Sequence, residues 1–339
     1  MNKFVSFMVL ACTLLAAVLL PVGCSRVPVQ RAEGVVWNTF YSVTYLGEQD
    51  LNDSIIAVLH EVEKSVSAFD STSVVSRMNR NEDMTADRRF EVVYNTARRV
   101  WQASDGYFDP TLSPLINAYG FGYGKETEMT PARLDSVRRF VGFDKTAIVD
   151  GKLQKEDSRI EFNFSAIAKG YGCDEVGQML LRNGVADFMV CIGGEVTVHG
   201  FSDRGEPWRI GIDQPVEDSA LLSDKGASPA AYPAPLCTIS VTDCGIATSG
   251  NYRNFKVKDG KHFGHTIDPK TGRPAQTDVL SATVVAPTCM EADAYATAMM
   301  AMGSSRAVEM ARREGLAALI VKSDSSRVMT PEFELLLAE

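Results

Sequence analysis

Apolar residues return every three or four positions at Ile55, Leu59, Val62, Val66 and Phe69. That period predicts an amphipathic helix with Asn52 or Asp53 as its cap and Phe69 as its last core residue. Phe90, Val93, Ala97, Val100 and Ser104 repeat the period, and residues 168–182, 291–302 and 304–313 read as further helices. Strands are predicted at residues 36–46, 187–198, 208–213, 238–241, 280–286 and 317–322. Strands mixed with helices, without a regular βαβ alternation, predict an α+β domain of mixed or antiparallel sheets with packed helices. Residues 35–339 show no internal repeat and no second linker, so they read as one domain, with the Ala-, Ser- and Pro-rich stretch 217–235 as a surface loop.

The N-terminus breaks this pattern. Lys3 precedes an almost wholly apolar run from Phe4 to Leu20, then Pro21, Val22, Gly23 and Cys24. This reads as a signal peptide, residues 1–23, ending in a bacterial lipobox that leaves Cys24 to be acylated. Pro21 stands where such boxes usually carry Leu. The polar stretch 24–34 then reads as a tether. A chain so processed is exported and held by lipid on a bacterial membrane, facing the periplasm.

With 339 residues, 45% hydrophobic and 23% charged, the rest has the composition of an ordinary globular protein. A net charge of -9, with no Lys/Arg-rich run, argues against a nucleic-acid partner. Beyond Cys24 the cysteines are Cys173, Cys191, Cys237, Cys244 and Cys289: odd in number, scattered, and without a C-x-x-C pair. They read as free thiols, not as a disulfide framework or zinc site.

Four segments carry more polar and glycine residues than a core requires. Asp105 to Thr111, followed by Gly120-Phe121-Gly122, sets carboxylates and aromatics after a helix, suiting a planar ring ligand; an ordinary packed turn explains it equally. Lys169 stands at a predicted helix start, where an anion and not a cation is favoured; a phosphate there would account for it, although taken alone an ordinary exposed lysine explains it better. Ile192-Gly193-Gly194-Glu195 puts paired glycines inside a predicted strand, marking a bulge or a close ligand approach. The fourth spans Ala247 to Tyr252, His265 to Pro274 and Glu291 to Thr297. There Asp293 and Thr297, four apart on a predicted helix, share one face as an oxygen set suited to Mg²⁺ and poor for zinc; alone, the pair reads more readily as an Asp near a helix N-terminus and a Thr back-bonding to its helix.

In this order the segments D-G-x-F-D-P-T, A-K-G-Y, I-G-G-E, T-S-G-x-Y, H-x-I-D-P-x-T-G-R-P and A-D-A-x-A-T resemble the ApbE family of FAD:protein FMN transferases, from about Val36 to the C-terminus. The resemblance implies a single T-fold-related domain that takes FAD as substrate, with Mg²⁺. It implies Asp293 and Thr297 as metal side-chain ligands and Ala166 as a carbonyl ligand. It makes Lys169 a cofactor contact, places Phe69, Tyr107, Phe108 and Asp109 along the FAD site, and assigns backbone-rich contacts to Gly193, Gly194, Ser249, Gly250 and Ile267. His265 becomes the general base, with Asp268 or Asp109 to orient it, and Lys169 and Asp293 join it as catalytic residues. Trp37 and Asn38 replace the family's usual Met-Gly, and Trp37 is placed to stack on the cofactor. The implied reaction moves FMN from FAD to a Thr or Ser hydroxyl of an acceptor, a subunit of an exported or membrane redox complex, releasing AMP. Two alternatives share the site: an FAD pyrophosphatase giving FMN and AMP, and an FAD-binding lipoprotein without chemistry.

Overall fold

The computed structural model describes residues 27–215, 234–250, 255–258 and 261–338, so the signal peptide, Cys24, most of the expected loop 217–235, Asn251 and Tyr252 lie outside the described residues. The chain opens with β1 (Val29–Val36) and β2 (Thr39–Leu46), then α1 (Asn52–Val66), α2 (Val74–Asn79) and α3 (Arg88–Ala103). A 3₁₀ turn (Pro110–Leu112) leads into α4 (Ser113–Ala118) and α5 (Pro131–Arg138), followed by the hairpin β3 (Thr146–Val149) and β4 (Lys152–Lys155). Next come α6 (Ala168–Arg182), β5 (Phe188–Ile192), β6 (Glu195–His199), β7 (Trp208–Ile212), β8 (Cys237–Val241) and β9 (Cys244–Gly250). The short strands β10 (Phe255–Lys258), β11 (Lys261–Gly264), β12 (Ile267–Asp268) and β13 (Arg273–Pro274) precede β14 (Val279–Ala286). The chain ends with α7 (Cys289–Met302), α8 (Ser304–Glu314), β15 (Ala317–Lys322), β16 (Arg327–Met329) and α9 (Pro331–Glu334).

The main sheet has eight strands in the order β1-β2-β5-β6-β9-β14-β15-β16, every neighbouring pair antiparallel. This bears out the α+β reading. Helices α6 and α7 cover one face, while the β7–β8 hairpin and Phe333 of α9 close the other over Val196, Val198, Ile246, Val285 and Leu319. Central strand β14 is therefore buried along nearly its whole length, Ser281 and Thr283 included, with no alternation of buried and exposed positions. Helix α7 is buried almost all round, and Gly170 and Gly245 let the neighbouring backbones come close to its first turn. Among the described residues no helix is long and apolar enough to cross a membrane.

Four expectations are corrected. The stretch 24–34 is not all tether: from Val29 it forms edge strand β1, paired in register with β2. The strand expected at 36–46 is the second arm of that hairpin, and its turn is Trp37 (φ 49°) and Asn38 (φ 59°). Two consecutive positive φ values make the tight turn whose twist matches antiparallel strands. The strand expected at 187–198 is likewise a hairpin, β5–β6, turning at Gly193 (φ 64°) and Gly194 (φ 108°). Lastly, α1 ends at Val66, before Phe69, and its cap is Leu51, not Asn52 or Asp53.

The cysteines expected to be free are free, with Cys173 and Cys289 fully buried and the others half-buried.

Candidate functional site

A cleft of about 400 Å³ opens where the α6 N-terminus, the β5–β6 turn, the end of β9 and one face of α7 meet. It takes in most of the residues singled out in the sequence: Phe69, Tyr107, Phe108, Asp109, Ala166, Lys169, Gly193, Ser249, Gly250, His265, Ile267, Asp293 and Thr297. Residues spread over more than two hundred positions are thus gathered on one surface.

Each wall has a local cause. After α1, Ser67 adopts an extended conformation and breaks the helix, so Phe69 turns outward and is 59% exposed at the cleft mouth, edge-on to Tyr123. Asp70 fixes that loop by accepting from the Thr72 amide (2.8 Å) and pairing with Lys64 (2.9 Å). The left-handed turn at Asp105 and Gly106 reverses the chain after α3 and delivers Tyr107, Phe108 and Asp109. Asp109 is committed to its own turn: its carboxylate accepts from the Thr111 amide (2.8 Å), the Thr111 hydroxyl (2.6 Å) and the Phe143 amide (3.3 Å). Burial nevertheless raises it above the ordinary carboxylate range. Asp268 is committed in the same way, to the Lys270 amide and the Thr271 hydroxyl. Both carboxylates expected to orient His265 thus hold turns together. His265 follows β11, half-buried, with its ring edge-on to Phe121 at 6.5 Å.

The charged floor lies between α6 and α7. Asp293 is 2% exposed, and its Oδ2 accepts from the Gly170 amide at 3.1 Å. Gly170 lies in the first turn of α6, whose amides have no acceptor within the helix, so Asp293 satisfies one of them from the neighbouring helix, while Ala166 lies just before that turn. Lys169 Nζ contacts Glu195 Oε1 directly and stands 3.8 Å from Asp293 Oδ1. The anion expected at this helix start is therefore in part the protein's own. Burial opposes charge on Lys169, but Asp293 and Glu195 together outweigh it and hold the ammonium above its ordinary range. One ammonium cannot neutralise two buried acids. Burial accordingly raises Glu195 to about 7 even though Lys169 pulls the other way, and Asp293 is raised for the same reason. Thr297 completes the set, its Oγ1 lying 3.3 Å from Ser249 Oγ.

Besides Asp268, Trp37 and Gly194 fall outside the lining. Trp37 packs between the two main apolar clusters instead of stacking in the cleft, and its Nε1 is buried without a hydrogen-bond partner. A Cβ on Gly172 would lie 2.6 Å from the Trp37 ring, so that glycine makes room for the indole. Gly194 is the second turn residue beside the lining Gly193. Conversely, Glu195, Phe121, Thr248 and Thr266 line the cleft without having been assigned a role. The signal for Glu195 was available: it is a lone carboxylate opening the apolar strand Val196–Val198, directly after a glycine pair.

The donor set on this floor is all oxygen: the Asp293 carboxylate, the Thr297 hydroxyl and the Ala166 carbonyl. Among the described residues no cluster of three or more His, Cys, Asp and Glu side chains is gathered as a metal cage. Such a sparse, hard set fits a cation like Mg²⁺ that keeps waters and substrate phosphates as further ligands.

The family model described as "ApbE family" matches residues 37–320. The chain belongs to the ApbE family. It is 33% identical to an FAD:protein FMN transferase of Vibrio cholerae, over 91% of this chain and 93% of that protein. It is 30% identical to the Escherichia coli K12 protein of the same name, over 96% of both chains. Among solved structures, the flavin transferase ApbE from Vibrio cholerae superposes with a TM-score of 0.80 at 30% identity, covering 91% of this chain and all of that one. The Pseudomonas stutzeri flavinyl transferase ApbE, apo form, gives 0.79 at 28% identity, covering 92% and 98%. Both superpositions cover more than nine-tenths of this chain, so the α+β fold described above is that of these two flavin transferases.

Proposed function

We propose that this ApbE protein transfers the FMN moiety of FAD to a Thr or Ser hydroxyl of a target protein, releasing AMP. The observation that carries the site assignment is the charge of the cleft. Its lining holds three carboxylates, Asp109, Glu195 and Asp293, and Lys169 as its one Lys or Arg among the described residues. A pyrophosphate cannot settle on such a wall without further positive charge, and the oxygen donors of Asp293, Thr297 and Ala166 are where a divalent cation would supply it. The aromatic residues Phe69, Tyr107, Phe108 and Phe121 line the same cleft and suit the ring systems of FAD.

Mg²⁺ held by Asp293, Thr297 and the Ala166 carbonyl would neutralise charge on the pyrophosphate oxygens. Lys169 adds a fixed positive charge on the same floor. His265 accepts the proton of the acceptor hydroxyl, whose oxygen forms a bond to the FMN-side phosphorus. The bond from that phosphorus to the bridging oxygen breaks, and AMP leaves with the electron pair. Gly193 presents bare backbone to the cleft, at a positive φ that disfavours most side chains. The N-terminal sequence supports export and acylation at Cys24, which would hold the enzyme at a membrane beside its acceptor.

The test is intact-mass analysis of a flavin-accepting protein incubated with the enzyme, FAD and Mg²⁺. A gain of one FMN, lost on chelation and in Asp293→Ala, is the expected result. FMN and AMP without any mass gain would make the protein a pyrophosphatase, and intact FAD would make it a carrier. Full transfer by Asp293→Ala would remove the metal assignment.

A further inference from the structure

Lys169, Glu195 and Asp293 form an unequal triangle. The ammonium of Lys169 touches Glu195 Oε1 but stops 3.8 Å short of Asp293 Oδ1. Asp293 Oδ2 is already occupied by the Gly170 amide, so Oδ1 is the oxygen that faces the gap. Glu195 is 4% exposed, and its Oε2 is buried with no hydrogen-bond partner. The stem of Lys169 runs beside the β5–β6 turn, where a Cβ on Gly193 would lie 3.4 Å from Lys169 Cδ. Two buried acids compete for one cation, and the ammonium sits against the one that has no assigned role.

We infer that Glu195 is a positioning residue that holds the Lys169 ammonium off Asp293 and so keeps Asp293 Oδ1 open to a divalent cation. The inference rests on the reading of Asp293 as a cation ligand. Without the charge of Glu195, the ammonium has a single buried anion within reach, and the 3.8 Å gap closes to a direct ion pair. A metal ion would then have to displace an ammonium from a buried carboxylate, where pairing is strongest. Deleting Glu195 charge also makes the cleft less negative, which weakens cation binding by itself. The two effects separate in a double-mutant cycle, because only the first needs Lys169.

The experiment is Mn²⁺ titration of the whole chain without FAD, read by the electron paramagnetic resonance of free Mn²⁺, with circular dichroism to confirm folding. Glu195→Gln is expected to weaken Mn²⁺ binding about tenfold or more with Lys169 present, and less than about threefold in the Lys169→Met background. Should Glu195→Gln not fold, Glu195→Asp replaces it in the same cycle: the shorter acid is expected to weaken binding with Lys169 present and to be neutral with Lys169→Met. Equal weakening in both backgrounds would reduce Glu195 to a nearby charge and overturn the inference, as would no weakening in either. Wild-type protein that binds no Mn²⁺ would instead remove the cation reading of Asp293 beneath it.

Discussion

Gly170→Ala sets a propensity gain against a packing cost at the floor of the cleft. Alanine stabilises a helix over glycine by at most about 1 kcal/mol, so propensity alone predicts a more stable protein. The tertiary structure predicts the reverse. A Cβ at position 170 would lie 2.3 Å from the Cys289 carbonyl oxygen, 2.6 Å from its carbon and 2.8 Å from the Met290 nitrogen. These are backbone atoms of α7 and cannot swing aside, so the helices must part by about 1 Å, an overpacking strain of roughly 1–3 kcal/mol. That movement also stretches the 3.1 Å bond from the Gly170 amide to Asp293. A hydrogen bond from an amide to a charged group contributes about 1.5–3 kcal/mol. The costs exceed the gain, for a net destabilisation of about 3 kcal/mol, or about 1 M in the urea midpoint. Because Asp293 moves with α7, kcat/KM for FMN transfer should fall about a hundredfold in the molecules that remain folded. Urea unfolding followed by circular dichroism measures the first effect and single-turnover transfer the second. A Gly170→Ala protein as stable as wild type or more so would refute the close approach of α6 and α7.

Phe69→Ala should leave stability within about 0.5 kcal/mol, as expected of an exposed side chain. It should weaken FAD binding by about 1–2 kcal/mol through lost ring stacking, as read by flavin fluorescence; unchanged affinity would return Phe69 to a merely exposed position. Asp70 is depressed to about 2, first by its hydrogen bond from Lys64 and then by the Thr72 amide. Its unfolded value is near 3.8, so its contribution is complete above that pH and is lost as pH falls through 2. Asp70→Asn should therefore be less stable than wild type at pH 7, the difference shrinking below pH 4, whereas a constant difference would show that the ion pair contributes nothing. His265→Ala should lower transfer by two orders of magnitude or more while leaving Mn²⁺ binding intact; equal loss of both would make His265 structural.

Helix α6 was legible to the residue because its period and ends are local properties of the sequence. So were most of α3, α7 and α8, and strands β14 and β15. The two hairpins were not. Residues 36–46 and 187–198 are rich in apolar and β-branched residues on both sides of the reversal, so each reads as one strand. At 193–194 the glycine pair could mark a bulge or a turn. At 37–38 the turn residues are Trp and Asn, and Trp is no turn former.

Within the site, the sequence by itself determined which chemical groups are present: an oxygen-donor pair on one helix face, a lysine at a helix start, and a histidine in a polar turn. Those follow from residue type and spacing along one element. Only the tertiary structure decided how they are used. It broke α1 before Phe69 and turned that ring into the cleft, where periodicity alone had made it core. It packed Trp37 against Gly172 and the two apolar clusters instead of into the cleft. It committed Asp109 and Asp268 to their own turns, and it brought Glu195 against Lys169. Each of these rests on a contact between residues that local rules do not couple, because burial and pairing are properties of the packed whole and not of the segment.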